Sequence, residues 1–213
     1  MLMQEIKNIT TYRQSLRERI VEAAMKAFAK KGIRAVKMDD IAQLLSISKR
    51  TLYEIYENKE LLLFEGVKRY KAAKDAENRQ MMDSCPTVMD MILKLYEKRV
   101  AEFKQTSPLF YSDLEKYPRV LGFLEKDRKE RHQQFVDFLL RGVSEGYFRS
   151  DLDYELVTQL FSSMTHHVIS AQLYGEYSLE HIFHNLVFVT LRGICTQKGI
   201  EILDEFTITV REE

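Results

Sequence analysis

The sequence predicts an all-helical protein, and three observations carry that prediction. Glycine and proline are scarce, 8 and 3 in 213 residues, so few positions interrupt a helix. Apolar residues recur at intervals of three and four along most of the chain, which is the spacing of one helix face. They make up 45% of the residues, enough to build a core and to argue against a disordered chain.

The elements follow in order. "SLRERIVEAAMKAFAKKG" reads as a first helix, with Leu16, Ile20, Ala23, Ala24, Ala27 and Phe28 at helical spacing and Gly32 placed to end it. "MDDIAQLL" reads as a short second helix whose first turn holds Asp39 and Asp40, where the helix dipole favours acid. "SKRTLYEIY" reads as a short third helix capped by Ser48. Asn58 caps a fourth, from Lys59 towards Met82. After Pro86, residues Val88, Met91, Ile92, Leu95, Val100 and Phe103 make one apolar stripe. "TSPLFYSDLEKYP" is a broken piece between two prolines. A long helix is predicted from near Pro118 to Glu145, ended by Gly146. Asp151 or Asp153 then caps a helix with Leu156, Val157, Leu160, Phe161, Met164 and Val168 inward. Another follows Ser178, with Ile182, Phe183, Leu186, Val187 and Ile194 inward. The tail "FTITV" alternates and reads as a short strand. The first elements form one domain, residues 1–58, and the remaining helices a second, 59–213. The fourth helix leaves no flexible linker between them.

Several function classes recede. No apolar run reaches the 18 or so residues of a membrane span. The N-terminus lacks the basic, apolar and small-residue segments of a signal peptide. Cys85 and Cys195 match no metal or redox spacing, so both are expected to be reduced and the protein cytoplasmic. His181 and His184 share a helix face, and His166 and His167 lie on the preceding helix. No Cys or carboxylate completes a recognisable set with them, so neither a metal, a cofactor nor a catalytic base is expected.

Net charge is zero, but the average conceals a split. Residues 13–71 carry about 14 Lys and Arg against 8 Asp and Glu, and the residues after them carry the opposite surplus. A basic module on an acidic body points to an anionic partner at one end. Two short helices joined by a turn of three or four residues form a helix-turn-helix, whose second helix enters the major groove of double-stranded DNA. The residue types suit that task. Ser48 caps the helix or bonds phosphate, Lys49 is a point charge for phosphate, and Arg50 has the planar fork that matches guanine O6 and N7. Thr51 offers a hydroxyl and a methyl, and Tyr53 and Tyr56 offer phenol hydroxyls to the backbone. Lys59 begins the next helix, where ammonium and helix N–H groups can meet one phosphate. A plain solvated face also accounts for Lys49 and Arg50 alone, and core packing for Tyr56. Leu52 is read as inward.

Over about residues 13–65 the chain resembles the tetracycline-repressor (TetR) family of bacterial regulators. The resemblance lies in "IVEAAMKAFAKKG", "MDDIA" and "ISKRTLYEIYENKELL". It includes a helix ending in Phe-x-x-x-Gly, an Ile-Ala pair, a Ser-x-x-Thr-Leu-Tyr recognition helix and a Lys-Glu at the next helix start. A softer likeness is "GVSEGYFRSDLDYELV", ahead of the penultimate long helix. The chain departs from the pattern at Lys37, where Ser or Thr is usual, at Ser46 in place of a turn Gly, and at Glu54 and Ile55. Lys37 still suits a phosphate, and Ser46 at positive φ costs about 1 kcal/mol.

The resemblance implies a homodimer through the last two long helices, about 153–175 and 178–197, binding a near-palindromic operator. It implies a small-molecule effector in the C-terminal bundle and repression relieved by that effector. Bundles place ligands between helices, so Phe103, Phe110, Tyr111, Tyr117, Phe161, Met164 and His167 are the candidates to line the site.

Overall fold

Capping chemistry sets most of the helix boundaries. The computed structural model describes the backbone of residues 2–212 and the side chains of residues 12–208. Its elements are α1 (Leu2–Lys31), α2 (Met38–Leu44), α3 (Lys49–Ile55), α4 (Lys59–Ser84), α5 (Val88–Gln105) and α6 (Pro108–Leu114). They continue with α7 (Pro118–Ser144), α8 (Tyr154–Ser170), a 3-10 turn (Leu173–Gly175), α9 (Leu179–Ile194) and α10 (Gln197–Glu212). Gly32 ends α1 at φ +83, donating its N–H to the Phe28 carbonyl. Ser48, Thr87, Asp153 and Ser178 cap α3, α5, α8 and α9 by accepting from backbone N–H groups in the first turn. Asn58 Oδ1 accepts from the Leu61 N–H at the start of α4.

Two expectations fail. The first helix begins at Leu2 and not near Ser15, because no cap or breaker separates the N-terminal residues from the amphipathic run. "FTITV" is helical and not a strand. Leu203 is fully buried, Ile200 and Phe206 are half-buried, and their three-residue spacing puts all three on the core side of α10. Tertiary packing there outweighs the local strand preference of Thr and Ile.

The chain packs as two units. The first runs to Ala76 and includes Leu109–Phe123; the second comprises Glu77–Pro108 and the residues from Leu124 on. A functional boundary at residue 58 would fall at the start of α4. The packing unit continues past it because α4 supplies buried Leu62, Leu63 and Val67. In the first unit, Ile20, Phe28, Ile33, Ile41 and Leu52 are at most 1% exposed and form the centre. Burying each stabilises by about 1.5–3 kcal/mol. α4 lies close on α1: a methyl at Gly66 would stand 2.4 Å from Met25 Sδ.

In the second unit Val88, Met89, Tyr96, Val136, Phe148 and Leu203 belong to one buried cluster. Tyr96 of α5 stacks on Phe183 at 5.6 Å and meets Phe188 and Phe206 edge-on. Its hydroxyl bonds His184 Nδ1 at 2.7 Å, so His184 faces a neighbouring helix. The segment after Gly146 is pinned by backbone: Arg149 N–H donates to the Ile194 carbonyl, and Thr196 N–H to the Tyr147 carbonyl, both at 2.9 Å. Tyr154 Oη adds a 2.7 Å bond to the Arg149 carbonyl.

Helix α8 corrects a third expectation. It stops at Ser170, short of 175, where Gln172 turns the chain at φ +53. Val157, Phe161 and Val168 are half-buried, but Leu156, Leu160 and Met164 are 52%, 55% and 40% exposed. The apolar stripe is therefore wider than the face its own chain covers.

Candidate nucleic-acid interface

The α2–turn–α3 unit is built by few interactions. Asp40 Oδ2 accepts from the Lys37 N–H at 2.8 Å, so the acid in the first turn of α2 supplies the cap that a lysine side chain lacks. The turn occupies residues 45–48. Ser46 adopts φ +53, and its neighbour Ile47 donates to the Ala42 carbonyl at 3.0 Å, closing α2 with a left-handed residue other than glycine. Ser48 Oγ accepts from the Thr51 N–H at 3.0 Å and shares a 2.7 Å bond with Thr51 Oγ1. Leu52 is fully buried and holds α3 against the unit. Lys49, Arg50, Tyr53 and Glu54 consequently face outward.

The outward cations have partners. Lys49 pairs with Asp39 of α2, and that contact raises its pKa. Arg50 Nε donates to Glu54 Oε1 at 2.9 Å, one turn along α3, which likewise raises its pKa. Both pairs are exposed and add little to stability. Lys37 is exposed at the start of α2, and Thr51 is half-buried.

Two of the expected contacts are placed differently. Tyr56 is 4% exposed, beneath the Arg17 guanidinium at 5.2 Å from its ring centre. Burial pushes its phenol pKa up. It lies four residues after Leu52, on the same inward face, and that spacing is legible in the sequence. Lys59 also turns inward. Its ammonium donates to the carbonyls of Ile33, Arg34 and Val36 at 2.8, 3.4 and 2.8 Å. All three donors are used, and desolvation lowers its pKa. Lys59 is therefore a strut for the loop between α1 and α2, not a free phosphate ligand.

That same loop is held from a second side. Asp113 of α6, 7% exposed, accepts from the Arg34 N–H at 2.7 Å. A methyl at Gly32 would stand 2.8 Å from Leu109 Cβ. Nothing in local periodicity marks Asp113 or Asp39, because their partners lie 79 and 10 residues away.

The aromatic candidates divide between the units. Phe110, Tyr111 and Tyr117 belong to the first, and Phe103, Phe161, Met164 and His167 to the second. Phe103 packs edge-on to Phe183 at 5.2 Å. Met164 and His167 are exposed on α8, in line with Leu156 and Leu160. Their exposure removes them from a cavity lining within this chain.

Comparison with known proteins places this geometry. The profile described as "Bacterial regulatory proteins, tetR family" matches residues 20–65, the span from mid-α1 to early α4. The HTH-type transcriptional repressor KstR2 of Mycobacterium tuberculosis (strain ATCC 25618 / H37Rv) is 28% identical over 195 residues, covering 87% of this chain and 96% of that protein. Its counterpart in Mycolicibacterium smegmatis is 26% identical over 194 residues, covering 87% and 93%. The solved structure of the ketosteroid transcriptional regulator KstR2 of M. tuberculosis superposes with a TM-score of 0.56 at 26% identity, over 85% of this chain and 95% of that one. A regulator from Saccharomonospora viridis in complex with choline shares the fold, with a TM-score of 0.69 at 18% identity over 86% and 100%. The helix-turn-helix geometry, the profile match over it and the near full-length relatives converge: residues 20–65 match the DNA-binding module of the TetR family, and the chain is similar along most of its length to repressors of that kind.

Proposed function

We propose that this chain is an effector-responsive repressor that binds a near-palindromic operator as a homodimer. Residues 1–58 would read the DNA, and 59–213 would dimerise and bind the effector. The observation that carries the reading is the outward surface of α2 and α3. Lys37, Lys49, Arg50 and Tyr53 stand exposed on a unit whose basic surplus matches phosphate. Ser48 and Thr51 hydroxyls stand beside them at the helix start. Such a face suits backbone contacts from Lys37, Lys49, Ser48, Thr51 and Tyr53, and a base contact from Arg50.

One α3 spans only a few base pairs, so a second copy is needed for useful selectivity. The exposed stripe of Leu156, Leu160 and Met164 on α8, with Val189 of α9 at 68% exposure, supplies an apolar face for that copy. The similarity to repressors named KstR2 supports repression as the sign of regulation. The word ketosteroid in the name of the similar M. tuberculosis regulator favours a mostly apolar effector, and the half-buried Phe103 and Phe161 of the second unit are the side chains we assign to it. An effector favouring a conformation with mismatched α3 spacing would weaken operator binding. No described helix is long and apolar enough to cross a membrane. A cytoplasmic protein acting by binding rather than catalysis fits these features.

The test combines sedimentation with DNA binding. The full chain should sediment as a dimer and retain the labelled DNA upstream of its own gene against excess unrelated DNA. A monomer that releases that DNA to competitor would contradict the proposal.

A further inference from the structure

The recognition helix carries its own counter-charge. Arg50 and Lys49 are paired with Glu54 and Asp39, so the surface that would meet a base edge is close to neutral. The cationic surplus of residues 13–71 therefore lies elsewhere, on residues such as Arg13, Arg19, Lys30 and Lys31 of α1. General attraction and base reading are assigned to different side chains.

The Arg50 contact has a specific geometry. Guanidinium is planar and offers five N–H donors in a rigid fork. Glu54 takes the Nε donor at 2.9 Å. The two terminal nitrogens have no protein partner among the described residues, and the side chain is 89% exposed. Fixing Nε fixes the plane of the group and leaves Nη1 and Nη2 side by side, the pair that matches guanine O6 and N7 end-on. An exposed pair of this spacing contributes little to helix stability, so its consequence is for the aim of Arg50. The carboxylate also repels phosphate wherever α3 meets DNA, and that effect is independent of sequence.

We infer that Glu54 is a positioning residue that makes Arg50 a guanine reader and lowers affinity for unrelated DNA. The inference rests on the proposed DNA-reading role of α3 and adds the base read and the residue that aims the reader. Removing Glu54 has two effects of opposite sign. Discrimination falls because Arg50 is freed to bond phosphates and other bases. Non-specific affinity rises because a repelling charge is gone. Loss of a merely structural residue weakens both.

The experiment selects duplexes bound by the full-length protein from a randomised pool. It then measures affinity for the selected duplex, for versions with the guanine replaced, and for an unrelated duplex. The proteins are the parent, Arg50→Ala, Glu54→Ala and Glu54→Gln, each first checked for an unchanged melting temperature. The parent should select guanine at one symmetric position per half-site, and Arg50→Ala should lose that preference by about tenfold or more. Glu54→Ala should reduce it about two- to threefold while tightening binding to the unrelated duplex. Glu54→Gln keeps an acceptor oxygen and should restore much of the preference while keeping the tighter unrelated binding. The inference is overturned if Glu54→Ala leaves the preference intact, lowers it at every position alike, or weakens unrelated binding. It is also overturned if a sequence-selective parent keeps its guanine preference in Arg50→Ala. A folded parent that selects no sequence overturns the DNA-reading proposal together with this inference.

Discussion

Helices α3 and α8 both present side chains that their own chain leaves uncovered, and they do so in opposite ways. On α3 the outward positions are cations, hydroxyls and the Glu54 carboxylate, held by short polar contacts: Ser48 to Thr51, Lys49 to Asp39, Arg50 to Glu54. On α8 they are Leu156, Leu160 and Met164, which make no such contacts. A polar surface tolerates water until its partner arrives, and polar pairing can pre-orient it. An apolar stripe has no comparable resting arrangement and is stabilised only by being covered. The contrast separates a face that binds reversibly from one suited to permanent association.

The largest effect should come from breaking the apolar side. Replacing Leu156 and Leu160 together by Glu should convert a dimer to monomers in sedimentation. Each buried leucine contributes about 1.5–3 kcal/mol, and two-fold symmetry doubles the count. Dimer affinity should therefore fall more than about a thousandfold, and operator binding with it.

Next in size is the strut beneath the reading face. Lys59→Ala leaves the carbonyls of Ile33, Arg34 and Val36 without their charged donor and should cost about 2–3 kcal/mol. The melting temperature should fall by roughly 5–10 °C. The slope of DNA affinity against salt should not change, because Lys59 neutralises no phosphate. A slope reduced by about one counterion would show instead that Lys59 does reach the DNA.

Two smaller predictions sharpen the assignment of inward and outward positions. Tyr56→Phe should change operator affinity less than about threefold, since its ring packs under Arg17 and its hydroxyl is buried. Tyr53→Phe, on the exposed side of the same helix, should cost more. Ser46→Gly should stabilise the protein by about 0.5–1 kcal/mol by relieving the left-handed turn, seen as a rise of about 1–4 °C. Cys195 gives the smallest signal. Burial pushes its thiol up to about 11, so the native protein should resist alkylation at pH 8 and react only on unfolding.

The sequence announced the features that depend on near neighbours. Ser48, Asn58, Asp153 and Ser178 are capping residues because a side-chain oxygen there meets an N–H a few positions on. The Leu52–Tyr56 spacing was equally local, although the hydroxyl of Tyr56 invited a contact that burial forbids. What distance in sequence conceals is the pairing of remote groups. No periodicity brings Asp113 to the Arg34 N–H or Lys59 to the loop before α2. Helix α8 shows a different blind spot. Periodicity identifies apolar positions without saying which chain covers them, so Leu156, Leu160 and Met164 read as interior. In "FTITV" the local alternation pointed to a strand, and the buried contacts of α10 decided for a helix.

In the proposed dimer, two copies of α3, held by α8 and α9, read DNA in symmetric pairs. Sequencing of duplexes that the full-length protein retains from a randomised pool tests it most directly. The expected outcome is an inverted repeat whose half-sites lie about 10–10.5 base pairs apart, or a multiple of that spacing. Enrichment of a single unrepeated motif, or no enrichment over the input pool, would contradict it.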